Sequence, residues 1–119
     1  MSVALPAPPF PPLTQESESE QLFRETVHQF AQSAIAPRVR AMDEAGRIDP
    51  DLIRELFELG VMGVEVPEPW GGAGASFFAA IIVVEELSRV DPAVGVLVDV
   101  QNTLVNNCLL RYASEAQKE

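Results

Sequence analysis

The chain has 119 residues, 47% of them apolar, and a formal net charge of −10 from 18 acids against 8 Lys and Arg. That suffices for one compact domain with its own core, and it excludes a basic nucleic-acid surface and attraction to anionic membranes. The single cysteine, Cys108, excludes an intrachain disulfide and is read as packing in an apolar helical setting.

Residues 1–15 hold five prolines and no Lys or Arg, and read as a Pro-rich disordered arm. They lack the basic start of a secretory signal and the arginines of a transit peptide. No stretch reaches the roughly 20 apolar residues needed to span a bilayer. The longest clean apolar run is FFAAIIVV, at 77–84.

From Ser17 the spacing turns helical. Ser17 and Glu20 form a capping-box pair. Leu22, Phe23, Val27, Phe30, Ala31, Ala34 and Ile35 recur every three or four residues and predict one buried face. Pro37 predicts a kink, Val39 and Met42 a continuation of the face, and Gly46 an end. The next helix starts at Asp49 as N-cap with Pro50 in the first turn. It buries Leu52, Ile53, Leu56, Phe57 and Leu59, and Gly60 ends it. VMGVEV (61–66) is then expected as an extended connector.

Pro67 and Pro69 hold the approach to a glycine turn at Gly71, Gly72 and Gly74. That turn is read as structural, because it lacks the lysine and spacing of a phosphate loop. Ser76 caps a helix from Phe77 to about Val90, apolar all round and therefore expected to be buried. Glu85 and Arg89 are spaced for a charge pair. Adjacent carboxylates on a helix diverge by about 100°, so Glu85 and Glu86 are read as surface or helix-pairing groups. His28 is read as a boundary residue, and Asp99 either bonds across the core or faces outward. Asp91 and Pro92 repeat the cap-then-proline signal before a second apolar helix, AVGVLVDVQNTLVNNCLL. Ser114 and Gln117 open a last helix, from which a chain cut off part-way through its design is expected. No metal-ligand cluster and no catalytic residue is identified.

The segments FAQSAIAP, LFELGVMGVEVPEPWGGAGASF, VVEELSRVDPAVGV, QNTL and ASEAQKE, in this order, resemble the N-terminal helical domain of the acyl-CoA dehydrogenases. GVEVPEPWGGAGAS and VQNTL look most like the short/branched-chain members. The resemblance runs from Gln21 to Glu119. It departs at Trp70, where Tyr is common, and at Ala113, where Gly is usual. It implies an all-α, up-down bundle-like fold for residues 16–119, incomplete at its C-terminus. It also implies a part in the flavin-dependent conversion of acyl-CoA thioesters to trans-2-enoyl-CoA. In such enzymes FAD sits in a middle β-domain and the base in a C-terminal helical domain. The chain alone is therefore expected to be inactive and without bound FAD, and its cofactor-binding residues stay unknown.

The same resemblance places an acyl-pocket wall on the helix carrying Leu97, Val100, Gln101 and Leu104. The residue pattern alone favours ordinary core at these positions. The implied partners are an acyl-CoA, the missing domains and further copies of the chain. The implied location is the mitochondrial matrix, with a cytoplasmic one left open because no transit peptide is visible. The alternative reading is a non-catalytic helical interaction module, or a docking subunit of a split enzyme. Either way, uncovered apolar surface is expected to make the lone chain self-associate or pack loosely.

Overall fold

The computed structural model describes residues 15–119, so the expected arm lies almost wholly outside the described residues. Among those residues the chain is helical, with no strand. The first helix, α1 (Glu18–Phe30), begins with the expected capping box. The Ser17 N–H donates to Glu20 Oε2 at 2.7 Å and the Glu20 N–H to Ser17 Oγ at 3.2 Å. Val27, Ala31 and Ile35 are fully buried along one line, with Phe23, Phe30 and Ala34 packed beside them. Leu22 does not join them and is 66% exposed. At 3.6 residues per turn it lies about 140° round the axis from Val27, outside the apolar stripe.

The expected break at Pro37 is a change of helical pitch. A π turn (Ala31–Ile35) passes into a 3-10 turn (Ala36–Arg38) and then α2 (Val39–Ala45). The Ala36 N–H reaches back five residues to the Ala31 carbonyl, which relieves the register that proline cannot continue. From this joint Arg38 Nη2 donates to Glu55 at 2.7 Å and ties it to α3 (Pro50–Leu59). Asp49 caps α3, accepting from the Asp51 N–H at 2.9 Å, and Gly60 ends it in the left-handed region at φ 88°. Leu52 and Leu56 are buried, but Phe57, expected on the same face, is 56% exposed. It stands one residue, or about 100°, beyond Leu56.

The expected extended connector is instead a buried 3-10 turn (Val61–Gly63), with Val61, Met62 and Val64 in the core. Its polar backbone is met by asparagines some forty positions away (below), a partner that β-propensity cannot register. A second 3-10 turn (Glu68–Trp70) follows Pro67. The glycine turn then folds back on this region. The N–H groups of Ala73, Gly74 and Ala75 donate to the carbonyls of Gly63, Val66 and Val64 at 2.9, 2.9 and 2.8 Å. Gly72 lies so close that a Cβ there would stand 2.0 Å from the Val66 carbonyl oxygen.

Helix α4 (Phe77–Ser88), capped by Ser76 through the Ala79 N–H at 3.1 Å, packs between α1 and α5 (Pro92–Asp99). It is not covered all round: Phe77 and Ile81, one turn apart, are exposed. Gly95 lets α5 approach, since a Cβ there would meet Ser88 Oγ at 2.0 Å. A π turn (Val100–Asn106) joins α5 to α6 (Asn107–Tyr112), making one helix over Pro92–Tyr112. The cap-then-proline signal thus outweighs the valines. By length and composition this helix could cross a membrane, which the sequence reading did not anticipate. Its buried Asn102, however, bonds into the core. Cys108 is exposed, contrary to its reading as a packed residue, on a helix, α6, none of whose residues is buried. A single turn, α7 (Glu115–Lys118), follows, its Ser114 N–H donating to Gln117 Oε1 at 2.9 Å.

Gly72→Ala is expected to lower stability by about 1–3 kcal/mol, because backbone, not a movable side chain, occupies the space; the midpoint of urea unfolding measures it. Phe77, Ile81, Leu104 and Leu109 are exposed together with other large apolar residues, so the 119-residue chain is expected to self-associate as concentration rises. Sedimentation velocity showing a monomer at every concentration would contradict that.

Candidate functional site

The wide turn of the last long helix is built by its polar residues. Asn102, 4% exposed, accepts from the Val64 N–H through Oδ1 at 2.9 Å. Its Nδ2 donates to the carbonyls of Val61 at 2.8 Å and Val98 at 2.9 Å. Asn106 Nδ2 donates to the Met62 carbonyl at 2.8 Å and its Oδ1 accepts from Gln101 Nε2 at 2.9 Å. Thr103 Oγ1 and Asn107 Nδ2 bond carbonyls four residues back, those of Asp99 and Thr103, at 2.9 and 3.1 Å. Side chains thereby take up carbonyl capacity that a register of i to i+5 leaves misaligned.

This geometry parts the four residues singled out from the sequence. Leu97 is half-buried and packs against the core. Val100 and Leu104 are exposed, Leu104 at 63%. Gln101 lines a cleft of about 300 Å³ together with Phe57, Met62, Trp70, Gly72 and Asn106. A spacing of three and four keeps residues on one line only in an α-helix, and the wide turn breaks that line between Leu97 and Leu104. The helix therefore presents apolar Val100 and Leu104 outward and amide Gln101 toward the glycine turn.

The glycine turn offers nothing to a phosphate. The N–H groups of Gly71 and Gly72 donate to the Glu68 and Pro67 carbonyls at 2.9 and 3.3 Å, and those of Ala73, Gly74 and Ala75 are also spent internally. A phosphate cradle needs several free N–H groups converging on one point. The turn is a fold-back against the 61–66 segment, as its sequence suggests.

A second polar cluster joins α1 to α4. Glu86 is 1% exposed, held by Arg24 Nη1, by Arg89 Nη1 at 3.2 Å and by His28 Nδ1 at 3.1 Å. Arg24 also binds Glu16, and Glu85 at 2.8 Å. Arg89 pairs with Glu86, three residues before it, and not with Glu85 as its spacing suggested, while Arg24 of α1 bridges both glutamates. Burial pushes the Glu86 carboxyl up, but the Arg24 and His28 contacts and the Arg89 charge outweigh it and hold the group below the usual carboxylate range. The helix-pairing reading of the two glutamates holds, and half-exposed His28 sits at the boundary as expected. Among the described residues no group of three His, Cys, Asp or Glu is placed to hold a metal ion.

Asn102, central to this arrangement, was not singled out by the sequence, and Glu86 was named only alongside Glu85, without the inward position that sets it apart. The available signal for Asn102 was a polar run, QNTLVNN, inside an otherwise apolar helix, where asparagine is a weak helix former. For Glu86 it was the position between buried Val83 and Leu87 on the inward line of α4.

A family model described as acyl-CoA dehydrogenase, N-terminal domain, matches residues 17–119. Over 108 residues the chain is 47% identical to the probable short/branched chain specific acyl-CoA dehydrogenase of Dictyostelium discoideum, covering 91% of this chain and 26% of that one. It is 41% identical over 111 residues to the short/branched chain specific acyl-CoA dehydrogenase, mitochondrial, of Bos taurus, covering 93% and 26%. The solved structure of butyryl-CoA dehydrogenase from Megasphaera elsdenii is similar with a TM-score of 0.80 at 32% identity, over 88% of this chain and 28% of that one. The chain thus spans about a quarter of the length of these curated relatives.

The sign of the pH dependence follows from Glu86. Its folded pKa lies below the unfolded value, so its stabilisation is complete above the unfolded carboxylate range and is lost as pH falls through the folded pKa. Between about pH 4 and more acid conditions the unfolding midpoint is expected to drop, and to drop less steeply in Glu86→Gln. At neutral pH Arg24→Leu is expected to cost about 3 kcal/mol. Glu86→Gln is expected to cost less, because Arg24 keeps Glu16 and Glu85; equal losses in the two variants would contradict this reading of the cluster.

Proposed function

The chain belongs to the acyl-CoA dehydrogenase family, whose N-terminal helical domain it forms, and from that premise we propose that it serves a dehydrogenase of short or branched acyl-CoA thioesters. Its part is to wall the acyl chain with Val100 and Leu104, with Leu97 backing that wall from the core side and Gln101 at its polar edge. The observation that carries the reading is the family match over residues 17–119 combined with two apolar side chains left exposed on the helix that the resemblance assigns to the acyl pocket. Apolar contact discriminates by roughly 1–3 kcal/mol per methylene, so the bulk at these positions sets which chain shapes fit.

The reaction class proposed for the complete enzyme is α,β-dehydrogenation to the trans-2-enoyl thioester, with FAD as cofactor. The glycine turn does not meet the phosphates of FAD, since its N–H groups are bonded within the turn and to the 63–66 segment. What the chain's own residues supply is apolar contact and exclusion of water along the acyl chain. The matrix location proposed from the resemblance is supported by the Bos taurus relative, which is named as mitochondrial.

A chimera tests the reading: residues 17–119 replace the matching segment of the Bos taurus enzyme. Retained dehydrogenation of a short acyl-CoA at full flavin content is expected, and a flavin-replete but inactive chimera would overturn it. In that chimera Val100→Phe is expected to lower kcat/KM for longer or branched chains relative to a short straight one by about tenfold. Unchanged relative efficiencies across substrates would remove Val100 from the wall.

A further inference from the structure

We propose that Asn102 and Asn106 are positioning residues that set acyl selectivity by fixing the register of the π turn at 100–106. This rests on the reading of Val100 and Leu104 as acyl contacts. Apolar residues in sequence close into α register, and a turn of i to i+5 bonds persists only where something outside the helix holds it. Here the holder is visible. The Asn102 amide is buried and makes three hydrogen bonds, two of them to the Val61–Val64 segment packed against the helix. Asn106 makes a parallel bond to the Met62 carbonyl, between those two anchor points. The 61–64 turn thus offers the polar groups of three of its positions, Val61, Met62 and Val64, to two side chains of the last helix.

Asn102 and Asn106 stand four positions apart, and both face this turn across the wide segment. Val100 and Leu104 stand two positions before each of them and carry no bond of their own. Their direction is therefore a consequence of where the asparagines are tied. Gln101 is held more directly, by its bond to Asn106. Loss of the ties lets the segment relax toward α register, which changes the phase of Val100 and Leu104 relative to Leu97. The acyl contacts are thus set by residues that touch no acyl chain.

The chimera described above provides the test, with butyryl-CoA and its 2-methyl-branched counterpart as probes and rates normalised to bound flavin. Asn102→Asp keeps the shape but sets an oxygen against the Val61 and Val98 carbonyls. The ratio of kcat/KM for the two probes is expected to shift by on the order of tenfold. A merely structural loss would lower both values by the same factor and leave the ratio in place, which would overturn the proposal. Should Asn102→Asp fail to fold, Asn106→Leu, at a half-buried position, carries the test and is expected to shift the ratio in the same direction. In the 119-residue chain, amide exchange at Val64 is expected to rise in Asn102→Asp, and unchanged protection there would also overturn it. A shift with Val100→Phe but with neither asparagine variant sinks this inference and leaves the acyl-wall reading standing. No shift in any of the three sinks both.

Discussion

A turn that α3 hands on at Gly60 would be a liability without Asn102. Val61, Met62 and Val64 bury their side chains, and burial takes their peptide groups away from water. Each peptide group left unpaired there would cost free energy of the order of a lost hydrogen bond. No strand lies beside the turn to pair with it. The asparagines of the last long helix do so, and in doing so they pin that helix to the centre of the protein. The glycine turn is stacked on the outer side of the same segment, through Gly63, Val64 and Val66. The segment that the Asn102 amide ties to the last long helix is thus also the one on which the glycine turn rests.

The opposite end of the core is joined by charge. Glu86 sits among apolar neighbours of α4, a placement that is costly for an unpaired carboxylate. Arg24, Arg89 and His28 surround it from two helices, so α1 is keyed to α4 at a defined height as well as a defined face. Buried ionic contacts of this kind add less to stability than their geometry suggests. Their clearest effect here is registry: Arg24 and His28 of α1 meet Glu86 on the inward line of α4, which fixes the height at which the two helices pack.

The parts of this architecture that were readable from sequence are those encoded locally. Ser17, Asp49, Ser76 and Asp91 cap helices where their side chains suggested, and Gly60 ends one, because a cap is decided within four residues. The all-α fold and the family were legible for the same reason, through ordered short motifs. What could not be read depends on partners far along the chain. The 61–64 segment reads as an extended connector until asparagines about forty residues later are brought to it. The partners that hold Glu86 inward, Arg24 and His28, come from α1, about sixty residues earlier. Leu22 and Phe57 were placed inward by spacing alone, whereas phase about the axis leaves them in solvent. For the candidate site, the helix was legible, but its widened turn and the outward direction of Val100 and Leu104 were not. The acyl-wall assignment came from likeness, since periodicity favoured ordinary core.

Both helices flanking α4 contain a π turn, at Ala31–Ile35 and at Val100–Asn106. Each such turn accommodates more chain than the same height of α-helix. Length differences between this chain and its relatives can therefore be absorbed inside helices and not only in loops. A superposition that insists on unbroken helical alignment would then slip by one position past the wide turn, and would carry residue assignments onto the wrong side of the rod.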